Sequence, residues 1–200
     1  MMKKTRKGLI GLFGCLVGLL VVVMASTVVR TRHSVVVHTE ETDMIPQQVV
    51  LYRQDDVRWA EDRLGVSSFT MESSGCLVSC IASAVSMEKG QTVTPGELNQ
   101  IFSEHNVYDG EGNLQWSALE KIGAYSVNVY QEVSQEEIDR CLEAGHYPIV
   151  RVRVNGIGNY HYVLIVGAED RNYICMDPLA DELTKLSRYL NRVYAVRLVM

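Results

Sequence analysis

The feature that most constrains this chain lies at its start, where MMKKTRK precedes an uncharged, Leu- and Val-rich run of 22 residues, Gly8 to Val29. A helix rising about 1.5 Å per residue needs roughly 20 residues to cross the hydrocarbon core, whereas the apolar core of a signal peptide is usually about 7 to 15 residues. The run is therefore long enough to remain in a membrane. Four basic residues (Lys3, Lys4, Arg6, Lys7) flank it before and two (Arg30, Arg32) after, an asymmetry that holds the N-terminus in the cytoplasm and sends everything beyond Arg30 outside. Residues 1–30 thus read as a basic stub with an uncleaved anchor, or as a signal cleaved near Ala25. Lipid modification of Cys15 is a weaker reading, because Leu16 to Val23 continue the apolar run past it and Phe13 is bulky where a signal peptidase prefers small side chains.

The remaining chain is acidic. With the six basic residues of the first 32 positions set aside, 13 basic face 24 acidic residues, a balance of −11. Such a surface repels phosphate backbones, and its few Lys and Arg form no stripe in the sequence, so nucleic acid is excluded as a partner and cationic peptides are favoured. A composition 47% hydrophobic and 22% charged, without a repeat of 20 to 50 residues, also excludes disordered, collagen-like and solenoid architectures.

Residues 31–48 are polar, carry Pro46 and lack helical periodicity, and so read as a tether. A single folded domain is expected over 49–200. Thr94-Pro95-Gly96-Glu97 and Ser134-Gln135-Glu136-Glu137 are capping boxes that open helices ending near Glu104 and Ala144, with Gly145 as the left-handed stop. Gly123 does the same after the stretch Trp116, Leu119, Ile122. A further helix is predicted from Cys76 to about Met87, with Leu77, Ile81, Ala84 and Val85 facing the core. After Tyr147 the character changes to β, with runs Pro148–Val154, Tyr160–Ala168, Tyr173–Met176 and Val193–Val199 separated by turn residues. Helices followed by an antiparallel sheet make an α+β domain.

Four residues could carry chemistry. Cys76 follows Ser73-Ser74-Gly75 and opens a helix, where unsatisfied backbone N–H groups stabilise an anion and so favour a nucleophilic thiolate. The plainer account is a buried thiol or half of a disulfide. His161 lies in a strand whose alternation puts it on one face with Val163 and Ile165, and an inward-facing imidazole needs a partner. Asp177, held extended by Pro178, could orient that imidazole or simply form a solvated turn. Gln54 offers a neutral amide donor suited to a developing oxyanion, although a surface glutamine is the simpler reading. The order Cys, His, Asp matches a thiol, a base and a group that orients the base.

These residues resemble the papain-like cysteine peptidases of family thirty-nine, the bacteriocin-processing or double-glycine type, in their stand-alone branch without a transporter domain. The likeness rests on Gln54-Asp55-Asp56-Val57-Arg58-Trp59-Ala60, Leu64-Gly65, Met71, Gly75-Cys76-Leu77-Val78-Ser79-Cys80-Ile81-Ala82, His161-Tyr162-Val163-Leu164-Ile165-Val166-Gly167 and Met176-Asp177-Pro178. It implies a papain-like fold in which Gln54 supplies the oxyanion hole, Cys76 the nucleophile, His161 the base and Asp177 its orienting group. It departs from transporter-linked members in lacking a nucleotide-binding segment and in placing the glutamine 22 residues before the cysteine instead of immediately upstream.

The expected function is accordingly a membrane-tethered, extracytoplasmic cysteine peptidase acting on peptide or protein substrates. A papain-like module that binds peptides without cleaving them, or an amidase acting on cell-wall peptides, are the competing readings. Cys80, Cys141 and Cys175 are expected as core thiols. No cofactor or metal is expected, since Cys76 and Cys80 have no second cysteine pair to close a tetrahedron. His33, His38, His105 and His146 read as surface residues.

Overall fold

The computed structural model describes residues 2–41, 43–44, 46 and 48–200, with the side chains of 2–15 outside that description. Two units follow one another along the chain, 1–33 and 34–200. The first is one helix, α1 (Met2–Thr31), whose described apolar side chains from Leu16 to Val29 are exposed. Among the described residues no helix is long and apolar enough to cross a membrane. The Gly8–Cys15 part of the anticipated span, Cys15 included, lies outside the described side chains.

The second unit is α+β, with most of its helices preceding most of its sheet in the chain. Its elements are β1 (Val35–Val36), β2 (Asp43–Met44), α2 (Met71–Ser74), α3 (Cys76–Lys89), α4 (Pro95–Glu104), α5 (Trp116–Lys121), β3 (Val127–Val129), α6 (Gln135–Glu143), β4 (Ile149–Arg153), β5 (Tyr160–Glu169), β6 (Asn172–Met176), β7 (Thr184–Lys185), β8 (Arg192–Val193) and β9 (Ala195–Val199). The main sheet runs β3-β9-β4-β5-β6-β7 with β2 also paired to β5, and all its pairings are antiparallel. One face, through Ile149, Leu164, Met176 and Val199, packs on the helices α3 to α5. The other, through Val150, Val152, Val163 and Ile165, packs on Ile138 and Leu142 of α6, on Tyr189 and on Val37.

Several local expectations hold. Thr94 and Glu97 form the reciprocal capping box of α4, with Pro95 at its first position, and Gly145 takes a φ of +79° after α6. The second box forms only by half. The Ser134 side chain accepts from the Glu137 N–H, while its hydroxyl donates to Glu136 instead of being answered by Glu137. Helix α3 departs further from its amphipathic reading, because every residue from Val78 to Ser86 is buried. It lies between β5 and α4 and so has no solvent face, while Leu77 of the expected core stripe is only half-buried.

Residues 31–48, expected as a tether, are partly built into the domain. Val35 and Val36 pair with Val193 and Arg192, and Asp43 and Met44 pair with Glu169 and Ala168. The Val37 N–H donates to Asn191 O at 2.9 Å, and the side chains of Val37 and Thr39 are buried. A polar, aperiodic sequence can still lie on a sheet when its backbone groups find partners there.

Candidate active site

The segment before Cys76 is not the open loop its Ser-Ser-Gly sequence suggests. Thr70 caps the four-residue helix α2 and accepts from the Ser73 N–H, and the Ser73 hydroxyl answers the Thr70 N–H at 2.9 Å. The Gly75 N–H then donates to Met71 O at 2.7 Å. A Cβ on Gly75 would lie 2.5 Å from that same oxygen, so only glycine permits the tight turn. Cys76 emerges from it as the first residue of α3, where backbone N–H groups have no preceding helical acceptor.

Cys76, His161 and Gln54 line one cleft of about 530 Å³. His161, 3% exposed, approaches Asp177 Oδ1 with Nε2 at 2.8 Å. Burial would lower the affinity of the ring for a proton. The hydrogen bond to Asp177, together with the influence of the Cys76 side chain, outweighs burial and pushes its pKa up to about 9. Asp177 shows the opposite balance. Burial would raise its pKa, but hydrogen bonds from His161, Tyr189 and the Leu179 N–H hold it below the ordinary carboxylate range. An ionised carboxylate facing a protonated imidazole is the outcome.

Gln54 is buried, and its backbone N–H donates to Pro178 O at 3.1 Å, which ties its loop to the residue after Asp177. Arg53 reinforces the link by bonding Asp55 at 2.6 and 2.7 Å and Asp181 at 2.5 Å. The Gln54 Nε2 donates to Glu72 O at 2.5 Å, and its Oε1 is buried without a partner. A primary amide has two N–H groups, so one remains beyond the Glu72 bond. The structure therefore brings all four residues singled out in the sequence to one place, and the 22-residue separation of Gln54 from Cys76 does not keep them apart.

Tyr189 was not legible in the sequence. It follows β7 in a 3₁₀ turn (Leu186–Tyr189) and donates its buried hydroxyl to Asp177 Oδ2. Burial, and then the bond to Asp177, push its own pKa up and keep it a donor. No spacing rule connects a tyrosine 12 residues downstream with a carboxylate.

All four described cysteines are free, and Cys76 is the one that is not buried. Burial pushes the thiols of Cys80, Cys141 and Cys175 up and keeps them neutral. Cys80 Sγ points to Tyr162 O at 3.5 Å, and Cys141 Sγ lies 3.3 Å from the Tyr130 hydroxyl. Among the described residues no group of three His, Cys, Asp or Glu side chains is placed to hold a metal ion. His146, expected at the surface, is half-buried, with Nδ1 3.2 Å from Glu88 Oε1.

No family model matches the chain, and no curated protein matches it significantly. A solved structure does. A protein from Bacillus anthracis described as a "putative C39-like peptidase" is similar with a TM-score of 0.55 at 15% identity, over 80% of this chain and 98% of that one. The chain has the fold of a C39-like peptidase. At that identity the likeness concerns the fold, and the chemistry of this site must be argued from its own residues.

Proposed function

We propose that the chain is a cysteine peptidase, held at a membrane by its N-terminal apolar run with the residues beyond Arg30 outside the cytoplasm, or released there if the run is cleaved near Ala25. The observation that carries the peptidase reading is His161, hydrogen-bonded to Asp177 and lining one open cleft together with Cys76. The membrane reading rests on the 22-residue run and its flanking charges.

In this mechanism the imidazole of His161 already carries the proton, and Cys76 attacks the peptide carbonyl carbon as the thiolate paired with it while the C=O π pair moves to oxygen. The second N–H of Gln54 and the backbone N–H of Cys76 are the donors available to that oxyanion. Collapse expels the amine, which takes the proton from His161, and leaves a thioester on Cys76. Water then attacks the thioester, its proton passing to His161, and collapse expels Cys76 as the thiolate, releasing the carboxylic acid and restoring the pair. Asp177 holds the imidazole with Nε2 turned away from the sulfur throughout, and Tyr189 holds Asp177.

The test is labelling of the full-length chain at neutral pH with a thiol-reactive peptide-like inhibitor, followed by mass-spectrometric location of the adduct. Adduct at Cys76, together with turnover of internally quenched peptides that Cys76→Ala abolishes, supports the reading. Labelling without turnover of any peptide would reduce the protein to a binding module. Turnover confined to purified peptidoglycan would move the substrate to cell-wall peptides. Recovery of the uncleaved full-length chain in the soluble cytosolic fraction would refute the tether.

A further inference from the structure

Gln54 reaches the cleft from a loop tied down on both sides. Its own N–H donates to Pro178 O at 3.1 Å, and the carbonyl before it, Arg53 O, accepts from the indole N–H of buried Trp59 at 2.8 Å. The backbone of Gln54 is therefore held. Its side-chain amide needs a further constraint, because the last torsion of a glutamine is soft and a half-turn exchanges oxygen for nitrogen at nearly the same shape. A polar partner must decide which end of the amide faces where.

A single peptide group makes that decision. Gln54 Nε2 donates to Glu72 O at 2.5 Å, and this carbonyl shares its peptide plane with the N–H of Ser73. The Ser73 N–H donates in turn to Thr70 Oγ1 at 3.4 Å. In a trans peptide the C=O and N–H point in opposite directions, so one planar group carries Thr70 on one side and Gln54 on the other. Hydrogen bonds at both ends polarise the group and strengthen each other. A carbonyl oxygen can only accept, so the end of the Gln54 amide that meets Glu72 must be Nε2, and Oε1 is left buried without a partner. The N–H that remains belongs to a residue lining the cleft with Cys76 and His161.

The surrounding bonds hold the same plane. The Ser73 hydroxyl accepts from the Thr70 N–H at 2.9 Å and donates to Thr70 O at 3.0 Å. The N–H groups of Met71 and Glu72 donate to Asp62 O at 2.8 Å and Ala60 O at 2.9 Å, and Thr70 bridges to Arg63. A four-residue helix such as α2 has too few internal bonds to persist unaided, so its cap and these outside contacts set the tilt of the Glu72–Ser73 peptide. Thr70 is not among the residues that line the cleft, and any influence it has on the reaction must pass through another group.

We propose that Thr70 is a positioning residue of the oxyanion site, which holds the Gln54 amide through the Glu72–Ser73 peptide group with one N–H engaged and the other free to meet the oxyanion. This role rests on the peptidase reading above and on Gln54 as the oxyanion donor.

The experiment uses the full-length chain, with active sites counted by titration with the thiol-reactive inhibitor so that unfolded molecules do not enter kcat. Thr70→Val keeps the shape and removes the acceptor, Thr70→Ala removes it in a smaller side chain should the valine variant fail to fold, and Thr70→Ser retains it. Loss of the acceptor should lower kcat about tenfold with KM changed by less than about twofold, and Thr70→Ser should keep kcat within about twofold of the unaltered protein. In a Gln54→Ala background Thr70→Val should cause no further loss, because no amide is left to position. A purely structural role would give the same loss in both backgrounds.

Two readouts need no turnover. Affinity for a peptide aldehyde, whose hemithioacetal oxygen on Cys76 takes the place of the oxyanion, should fall about tenfold in Thr70→Val and no further when Gln54→Ala is already present. In the unaltered protein, NMR of the Gln54 side-chain amide should show one proton, the one on Glu72 O, exchanging with solvent about tenfold more slowly than the other. Unchanged kcat and aldehyde affinity in Thr70→Val, losses of equal size with and without Gln54, or equal exchange of the two amide protons would overturn the positioning role and leave the peptidase standing. Thr70-dependent aldehyde binding without turnover of any peptide would preserve the positioning role and refute the peptidase. A chain that neither binds the aldehyde nor cleaves any peptide would refute both.

Discussion

The coupling of His161 to Asp177 predicts how stability depends on pH. The ordinary histidine value of 6.5 becomes about 9 in the folded protein. Over that interval the native state binds a proton that the unfolded chain has released, so stability falls as pH rises. The contribution is fully present below about 6.5 and lost by about 9, and a shift of roughly 2.5 units corresponds to about 3 kcal/mol. Asp177→Asn removes the carboxylate that opposes burial. Burial then dominates the imidazole, its pKa falls, and the loss of stability across this window should shrink to less than about 1 kcal/mol. The assay is denaturant unfolding of the detergent-solubilised full chain from pH 6 to 9.5, followed by tryptophan fluorescence. Other groups titrate in this range, so the difference between the two proteins is the quantity read. Equal slopes in the two proteins, or a wild-type stability that stays level or rises over the window, would refute the assignment of a protonated imidazole held by Asp177.

Cys76→Ala should abolish turnover at nearly unchanged stability, whereas Cys80→Ala should cost about 1 to 3 kcal/mol in unfolding measurements by leaving a cavity under β5. Tyr189→Phe removes a donor from the buried Asp177 carboxylate, and unfolding measurements should show a loss of about 1 to 3 kcal/mol together with reduced kcat. Gly75→Ala should cost a similar amount, because its Cβ would lie 2.5 Å from Met71 O and 2.8 Å from Met71 Cα, and turnover should fall as Cys76 is displaced. If Gln54 holds the oxyanion, Gln54→Ala should lower kcat by roughly 3 kcal/mol of transition-state stabilisation, and an unchanged kcat would remove it from that role.

What the sequence determined by itself was whatever depends on a few neighbouring residues. The Thr94–Glu97 box, the glycine stop at Gly145 and the β-branched runs around Val152, Val163 and Val196 are fixed by bonds and sterics within about four positions, and they appear where the pattern puts them. The placement of a cysteine at a helix start and of an aspartate before Pro178 is equally local. The pairing of Val35–Val36 with β8 and of Asp43–Met44 with β5, the burial of α3 from Val78 to Ser86 and the Tyr189 bond to Asp177 were decided only in three dimensions. Each requires groups far apart in the chain to meet through sheet register and layer packing. Short-range periodicity carries no information about which distant strand will lie alongside, and Tyr189 acquires its meaning only from the neighbour that the fold supplies.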